Sequence, residues 1–266
     1  MNRGPRYAIV IIVILAVLIP IILMVFWSFT DTWKYPHLMP SLTTSYWDHF
    51  LGTSRWIKPL MNSIILSLVV TVISFALGFL PAKYLGTKDF KGKRIIQVFV
   101  MLPALAPGIA VVFGMLPVFV DLGIYRTFES LVIGQIVFTL PYMILTLTAV
   151  FKNYDTDYEA QSVTLGVDKI DTALNVTLPS IKSAAAIGCM YTFMVSWSMY
   201  LFVSIYRPVG FSTLLTELFP VISDGMTATQ DIAIATILFI LPSLLFLIGT
   251  TLIIKSDNHN ERGGPL

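Results

Sequence analysis

The stretch "EAQSVTLGVDKIDTALNVTLP", Glu159–Pro179, lies between two long apolar segments, yet it is punctuated like an ordered surface element. Thr156 stands three residues before Glu159, the spacing of a capping box, and Gly166 suits a helix stop, so a short helix is expected between them. Asp168 is placed to cap a second short helix, "KIDTALNVT", which sets Ile170 and Leu174 on one side, one turn apart. Pro179 marks the turn into the next segment. Two capped helices joined at a glycine corner make a rigid knob that can carry a push from a partner. Burying Ile170, Ala173 and Leu174 against such a partner would contribute about 4–5 kcal/mol, at about 1.5–3 kcal/mol per large aliphatic side chain.

Around the knob the chain is built for a bilayer. Of its 266 residues 56 % are hydrophobic and 12 % charged, and the charges fall between apolar runs rather than along one face of each. A helical crossing needs about 20 apolar residues. Six windows reach that length without Asp, Glu, Lys or Arg: Tyr7–Thr30, Pro59–Ala82, Ile95–Val120, Ser130–Phe151, Ser183–Tyr206 and Ile232–Ile254. The expectation is an all-α integral membrane protein with six transmembrane helices, one domain over residues 1–266, and a coupling loop at about 152–182. The first window follows Arg3 and Arg6 but is too long for a signal-peptide core and lacks a small-x-small site, so it reads as an uncleaved span. With both termini in the cytoplasm, the only basic residues outside are Lys34, Arg55, Lys58, Arg126 and Arg207. The reverse orientation would invert the positive-inside bias, which puts Glu159–Pro179 in the cytoplasm.

No ionisable side chain falls in mid-span, where a lone charge would cost about 2.5–3.5 kcal/mol. That weighs against a proton- or sodium-coupled carrier, although backbone carbonyls alone can hold sodium. An ion-coupled secondary transporter or channel-like subunit stays as the alternative reading. Cys189 is the sole cysteine, and His37, His49 and His259 all sit in loops. Disulfides, cysteine redox chemistry, a metal site and an intramembrane protease therefore lack their residues. No GxxxxGK[ST] stretch is present, and no nucleic-acid partner is expected.

Some span residues are candidates for a solute path. Pro103 and Pro107 break the third window, and the backbone that proline frees in lipid needs a neighbouring helix or a water-filled cavity. Ordinary packing kinks would account for them equally. In the fifth window Ser196, Trp197 and Tyr200 cluster in "TFMVSWSMYLF", where they could line a polar path or make interhelical hydrogen bonds. Trp27, Trp33, Trp47 and Trp56 read as interface or surface residues. Two outer loops, Asp31–Lys58 and Arg207–Gln230, are long enough to be ordered, and Leu214, Leu215, Leu218 and Phe219 make one apolar face in the second.

The frame from Gly166 to Leu178-Pro179, with Leu165 before the glycine, resembles the cytoplasmic-loop signature of permease subunits of binding-protein-dependent ABC importers of the smaller, type I fold. The signature's Glu-Ala-Ala falls on Ala160, Gln161 and Ser162, with Glu159 one residue earlier. "MNSIILSLVVTVISFALGFLPAKYLG" is similar to the family's second span, and "LPALAPGIAVVFG" to the proline-marked third span of the branch that moves polyamines, ferric iron, thiamine and phosphonates. The resemblance implies ATPase-coupling roles for Glu159, Ala160, Gly166, Asp168, Ile170, Leu174, Leu178 and Pro179. It also implies a separate ABC ATPase dimer that binds ATP and Mg, a second permease subunit, an extracytoplasmic solute-binding protein, and a bacterial cytoplasmic membrane around them. A chain of this kind is a non-catalytic subunit that moves a small polar solute and carries no cofactor of its own.

Overall fold

The computed structural model describes residues 3–31, 40–223 and 229–262, and the side chains of most of these. Trp33, Lys34 and His37, and residues 224–228 of the second outer loop, lie outside the described residues. The helices are α1 (Arg3–Ser28), α2 (Ser45–Gly52), α3 (Ser54–Thr87), α4 (Lys93–Leu105), α5 (Gly108–Asp121), α6 (Phe128–Phe151) and α7 (Asp157–Thr164). After them come α8 (Lys169–Thr172), a π-helical turn (Ala173–Thr177), α9 (Leu178–Ser180), α10 (Lys182–Trp197), α11 (Tyr200–Tyr206), α12 (Leu214–Ser223) and α13 (Thr229–Arg262). An isolated antiparallel bridge, Thr30 to Leu42, is the one β pairing among the described residues.

Among the described residues four helices are long and apolar enough to cross a membrane, and up to six crossings result by length and composition when each of two bent pairs counts as one. The Ile95–Val120 window is the clearest departure from an unbroken span: α4 and α5 meet at 95°. Proline chemistry explains the corner. Pro107 drives Ala106 out of the helical region, to φ −71° and ψ 148°, and Gly108 restarts the helix. The Ser183–Tyr206 window also breaks, at Ser198–Met199, where Tyr200 N–H turns back to Ser198 O. No Gly or Pro marks that break. The Ser198 hydroxyl bonds back to Met194 O at 2.9 Å and so competes with the helical ladder.

The chain divides into two compact units. The first comprises Met1–Asn62 and Ser212–Pro242. There Phe50 stacks on Trp56 at 5.0 Å, and Trp56, expected at the surface, is only 1 % exposed. The indole is too large an apolar surface to leave uncovered once α2 folds back beside it. Asn62 Nδ2 donates to Ser212 O at 2.9 Å, which ties the start of α3 to the approach to α12. Helix α12 buries Leu214, Leu218 and Val221 and leaves Phe219 exposed, so the true apolar face is rotated from the Leu214-Leu215-Leu218-Phe219 set.

The second unit comprises Ser63–Phe211 and Ser243–Leu266. Helix α6 is its hub and packs on α4, α5, α10 and α11. It also meets α3 so closely that a Cβ on Gly86 would fall 2.2 Å from Phe151 Cβ. One cluster of buried side chains, including Leu66, Val70, Leu131, Phe202 and Tyr206, fills the end of α6 that follows its Thr127 cap. A second, including Ala82, Leu85, Met143, Leu147, Phe151 and Ile181, fills the other end and supports the knob.

Candidate coupling site

The knob forms as two short helices with a glycine corner, but its caps differ from expectation. Thr156 is already helical and its hydroxyl caps nothing. The first-turn amide of Asp157 is answered instead by Asp155 Oδ1 at 2.9 Å. The Thr156–Glu159 capping box is therefore corrected, for a physical reason: Glu159 has stronger partners elsewhere. Asp168 occupies the N-cap position of α8 in an extended conformation without a side-chain cap bond, so only its backbone does the capping work.

The corner itself is a Schellman motif. Gly166 has φ +83°, its N–H reaches Val163 O, and Val167 N–H reaches Ser162 O. Across the corner Ser162 and Thr172, both buried, share a hydrogen bond of 2.9 Å that holds α7 against α8. Beyond the π-helical turn, Pro179 sits in the first turn of α9, and the segment Lys169–Ser180 meets α10 at 84°. The knob is thus set across the next span rather than continuing it. Buried Ile181 at the bend packs into the cluster below and makes the corner firm.

Glu159 is the brace. Its Oε2 accepts from Lys83 Nζ at 2.6 Å, and its Oε1 accepts from the Thr177 hydroxyl at 2.7 Å. One carboxylate thereby joins the last turns of α3, helix α7 and the π-helical turn. Burial pushes its pKa up, but the hydrogen bonds from Lys83 and Thr177 and the Lys83 charge outweigh that and hold it below the ordinary value. Beside it the Tyr154 hydroxyl is buried, and that burial raises its pKa.

The outer surface of the knob is apolar. Leu165 is 82 %, Ile170 68 % and Leu174 56 % exposed, with Val163 and Tyr158 beside them in sequence. Leu174 also lines, with Ala173, Leu178, Phe75, Ala76 and Phe79, an apolar cleft of about 250 Å³. Ala160 and Pro179 are exposed and Leu178 is half-buried. Of the coupling residues expected from sequence, Glu159 is turned inward and Ile170 and Leu174 outward. The roles of Lys83, Thr177 and Thr172 escaped sequence reading, and Ser162 was marked only as a signature position, not as the partner of Thr172. Lys83 and Glu159 are 76 positions apart, and the only mark on Lys83 is that it closes an apolar run.

The residues considered for a solute path sit at the helix breaks. Pro103 is half-buried within α4, and Pro107 is exposed at the start of α5. Ser196 is buried and donates to Gln135 Oε1, with Ser67 Oγ 3.3 Å away. Trp197 is buried and stacks on Phe193 at 5.7 Å, while Tyr200 is half-buried at the start of α11. Ser196 thus bonds across to α3 and α6, and Trp197 packs along α10 itself.

A bundle of membrane-length helices with a braced knob between α6 and α10 is the form of a transport permease, and comparison with known proteins gives the family. The model of the binding-protein-dependent transport system inner membrane component matches residues 74–255, and the chain belongs to that family. It is 24 % identical to the spermidine/putrescine transport system permease protein PotC of Haemophilus influenzae, over 96 % of this chain and 98 % of the relative. It is 26 % identical to the trehalose transport system permease protein SugB of Mycobacterium tuberculosis, over 82 % of this chain and 81 % of the relative. Its fold is similar to that in the crystal structure of a bacterial ABC transporter involved in the import of alginate. The TM-score is 0.72 at 18 % identity, covering 96 % of this chain and 98 % of that one. The chain is an inner-membrane ABC importer permease of the type I fold.

Proposed function

We propose that this permease is the transmembrane half of an ATP-driven importer whose motor, a separate ABC ATPase dimer holding ATP and Mg, grips the knob at Leu165, Ile170 and Leu174. The single observation that carries this reading is an exposed apolar surface on an element braced from within by Glu159. An apolar patch facing water on a rigid mount calls for a protein partner, and a rigid mount passes that partner's motion into α6 and α10. The knob and both termini lie on the cytoplasmic side, a placement that the bias of basic residues supports. A second permease subunit, identical or related, completes the pathway, and an extracytoplasmic solute-binding protein delivers the solute to the outer segments.

Polyamine is the substrate class we favour among polyamine, phosphonate, thiamine and iron, because the relative that covers nearly the whole chain is named for spermidine and putrescine. The trehalose permease relative makes a sugar the second reading. The test is to purify the assembly captured by this chain and screen its binding protein for thermal stabilisation by spermidine, putrescine and disaccharides, then to measure uptake into proteoliposomes. Uptake that needs ATP inside and the binding protein outside supports the proposal. Nucleotide-independent uptake driven by an ion gradient returns the chain to the secondary-transporter reading.

A further inference from the structure

The turn from α3 into α4 carries a charge pattern that the brace uses only in part. From Lys83 to Arg94 stand five basic residues and one acid, Asp89. Two of the five are engaged within the chain: Lys83 pairs with Glu159, and Lys93 Nζ donates to Asp89 Oδ1 and to Lys88 O, each at 2.9 Å. Lys88, Lys91 and Arg94 are exposed, and among the described residues none of the three makes an ion pair. Lys152 is a further exposed cation, close enough for its charge to act on Asp89.

Along the helices that flank this turn the exposed side chains are apolar. On α3, Leu77, Leu80 and Tyr84 share an exposed face, and Lys88 continues it one turn on, its N–H still bonded to Tyr84 O at 3.1 Å. On α4, Arg94, Val98 and Leu102 recur at helical spacing, all exposed, and no residue of this helix is buried. The rings of Tyr84 and Phe90 meet at 5.2 Å and join the end of α3 to the turn. The 13 residues of α4 give it a length of about 20 Å, enough to cross one leaflet of about 15 Å. Each face thus runs from hydrocarbon to cation, with a tyrosine between them on α3, which is the order in which a lipid leaflet presents acyl chain, interface and phosphate.

We propose that the α3–α4 turn is a binding site for an acidic phospholipid. Lys88, Lys91 and Arg94 hold the phosphate headgroup through charge-assisted hydrogen bonds, and the acyl chains lie along Leu77 and Leu80 of α3 and Val98 and Leu102 of α4. A soluble protein docked on the cations would leave those apolar side chains uncovered, because they belong to the charge-free windows Pro59–Ala82 and Ile95–Val120. A lipid covers both. Since Lys83 of the same turn grips Glu159, the turn and the knob lie on one side of the membrane, and a lipid seated here steadies the anchorage of the brace. The reading of the knob's side as cytoplasmic supplies only the leaflet; the binding does not rest on it.

The test is lipid binding to the purified full-length chain in detergent, read by native mass spectrometry with phosphatidylglycerol and with phosphatidylcholine. The parent should retain phosphatidylglycerol in preference, and the triple variant K88Q/K91Q/R94Q should weaken that binding about tenfold or more while phosphatidylcholine binding stays unchanged. The charge-keeping variant K88R/K91R/R94K should bind like the parent, which separates loss of charge from loss of fold. Equal retention of the two lipids by the parent, or unchanged phosphatidylglycerol binding in the glutamine variant, overturns the proposal. So does full competition by soluble glycerol phosphate, which would make the turn a plain anion site. Loss of ATPase capture by the glutamine variant with its lipid binding intact would make the turn a protein interface and overturns it too. Binding is read on the permease by itself, so a failure here leaves the ATP-driven reading standing, and a failure of that reading leaves this one.

Discussion

Lys83 and Glu159, 76 positions apart in sequence, form a 2.6 Å ion pair that fastens the knob to the last turns of α3. The pair keeps 26 % and 19 % of its side-chain surfaces in solvent, so it is partly shielded rather than buried. Glu159→Gln should weaken the attachment of the knob by about 1–2 kcal/mol, the lower part of the range for charge-assisted hydrogen bonds because solvent screens the pair. The measurement is ATPase activity against uptake: hydrolysis should persist while uptake per ATP falls. The charge swap Lys83→Glu with Glu159→Lys should restore part of the coupling, an outcome that a purely local role for either residue would not produce.

The same carboxylate sets a pH dependence. Its folded pKa is depressed below the ordinary 4.5, so its contribution is present in full above that value. It is lost as pH falls through the lower, folded value. Hydrogen exchange of the Glu159–Pro179 amides should be flat with respect to this group at neutral pH once corrected for intrinsic rates. Protection should fall only below about 4.5, and Glu159→Gln should abolish that transition.

Gly166→Val should impair both uptake and assembly with the ATPase. Nothing lies within 4 Å of the added Cβ, so sterics with neighbours are not the cause. The cause is φ +83°, which costs a β-branched residue about 1–2 kcal/mol or more. Gly166→Asn should be milder, since Asn tolerates the left-handed region best among residues with a side chain. Co-purification of the ATPase with each variant checks the ranking.

Ile170→Ser combined with Leu165→Ser should leave the permease inserted and folded while reducing ATPase capture at least tenfold. Both side chains are mostly exposed, so the folded chain loses little by their removal. Equal recovery of the ATPase with the double variant would show that the motor docks elsewhere.

Gly86→Leu should prevent stable packing of α3 on α6. Even a Cβ at that position meets Phe151 Cβ at 2.2 Å and Phe151 backbone at 2.9 Å, and backbone cannot rotate away. Overpacking of this kind costs about 1–3 kcal/mol or more. The expected result is a sharp fall in the yield of monodisperse protein, with no comparable effect from Gly114→Leu, whose surroundings are open.

The membrane character of the chain, the position of the knob and its glycine corner were legible in the sequence, as was a proline interruption of the third window, though not that it turns the chain by 95° at Pro107. Each is a local property: a run of apolar residues long enough to cross lipid, a residue that accepts positive φ, a ring that removes an amide and constrains its neighbour. The bracing of that knob was decided only by tertiary structure. Glu159 could have capped its own helix through Thr156, and instead reaches Lys83 and Thr177, because two charge-assisted bonds outweigh one capping bond once α3 stands alongside. The break at Ser198–Met199 and the buried seam around Gln135 likewise carry no mark in the sequence, since serine, threonine and glutamine read alike in a loop, a lipid-facing turn or a helix interface. What they do depends on which helix is opposite, and pairings between residues scores of positions apart are chosen by packing.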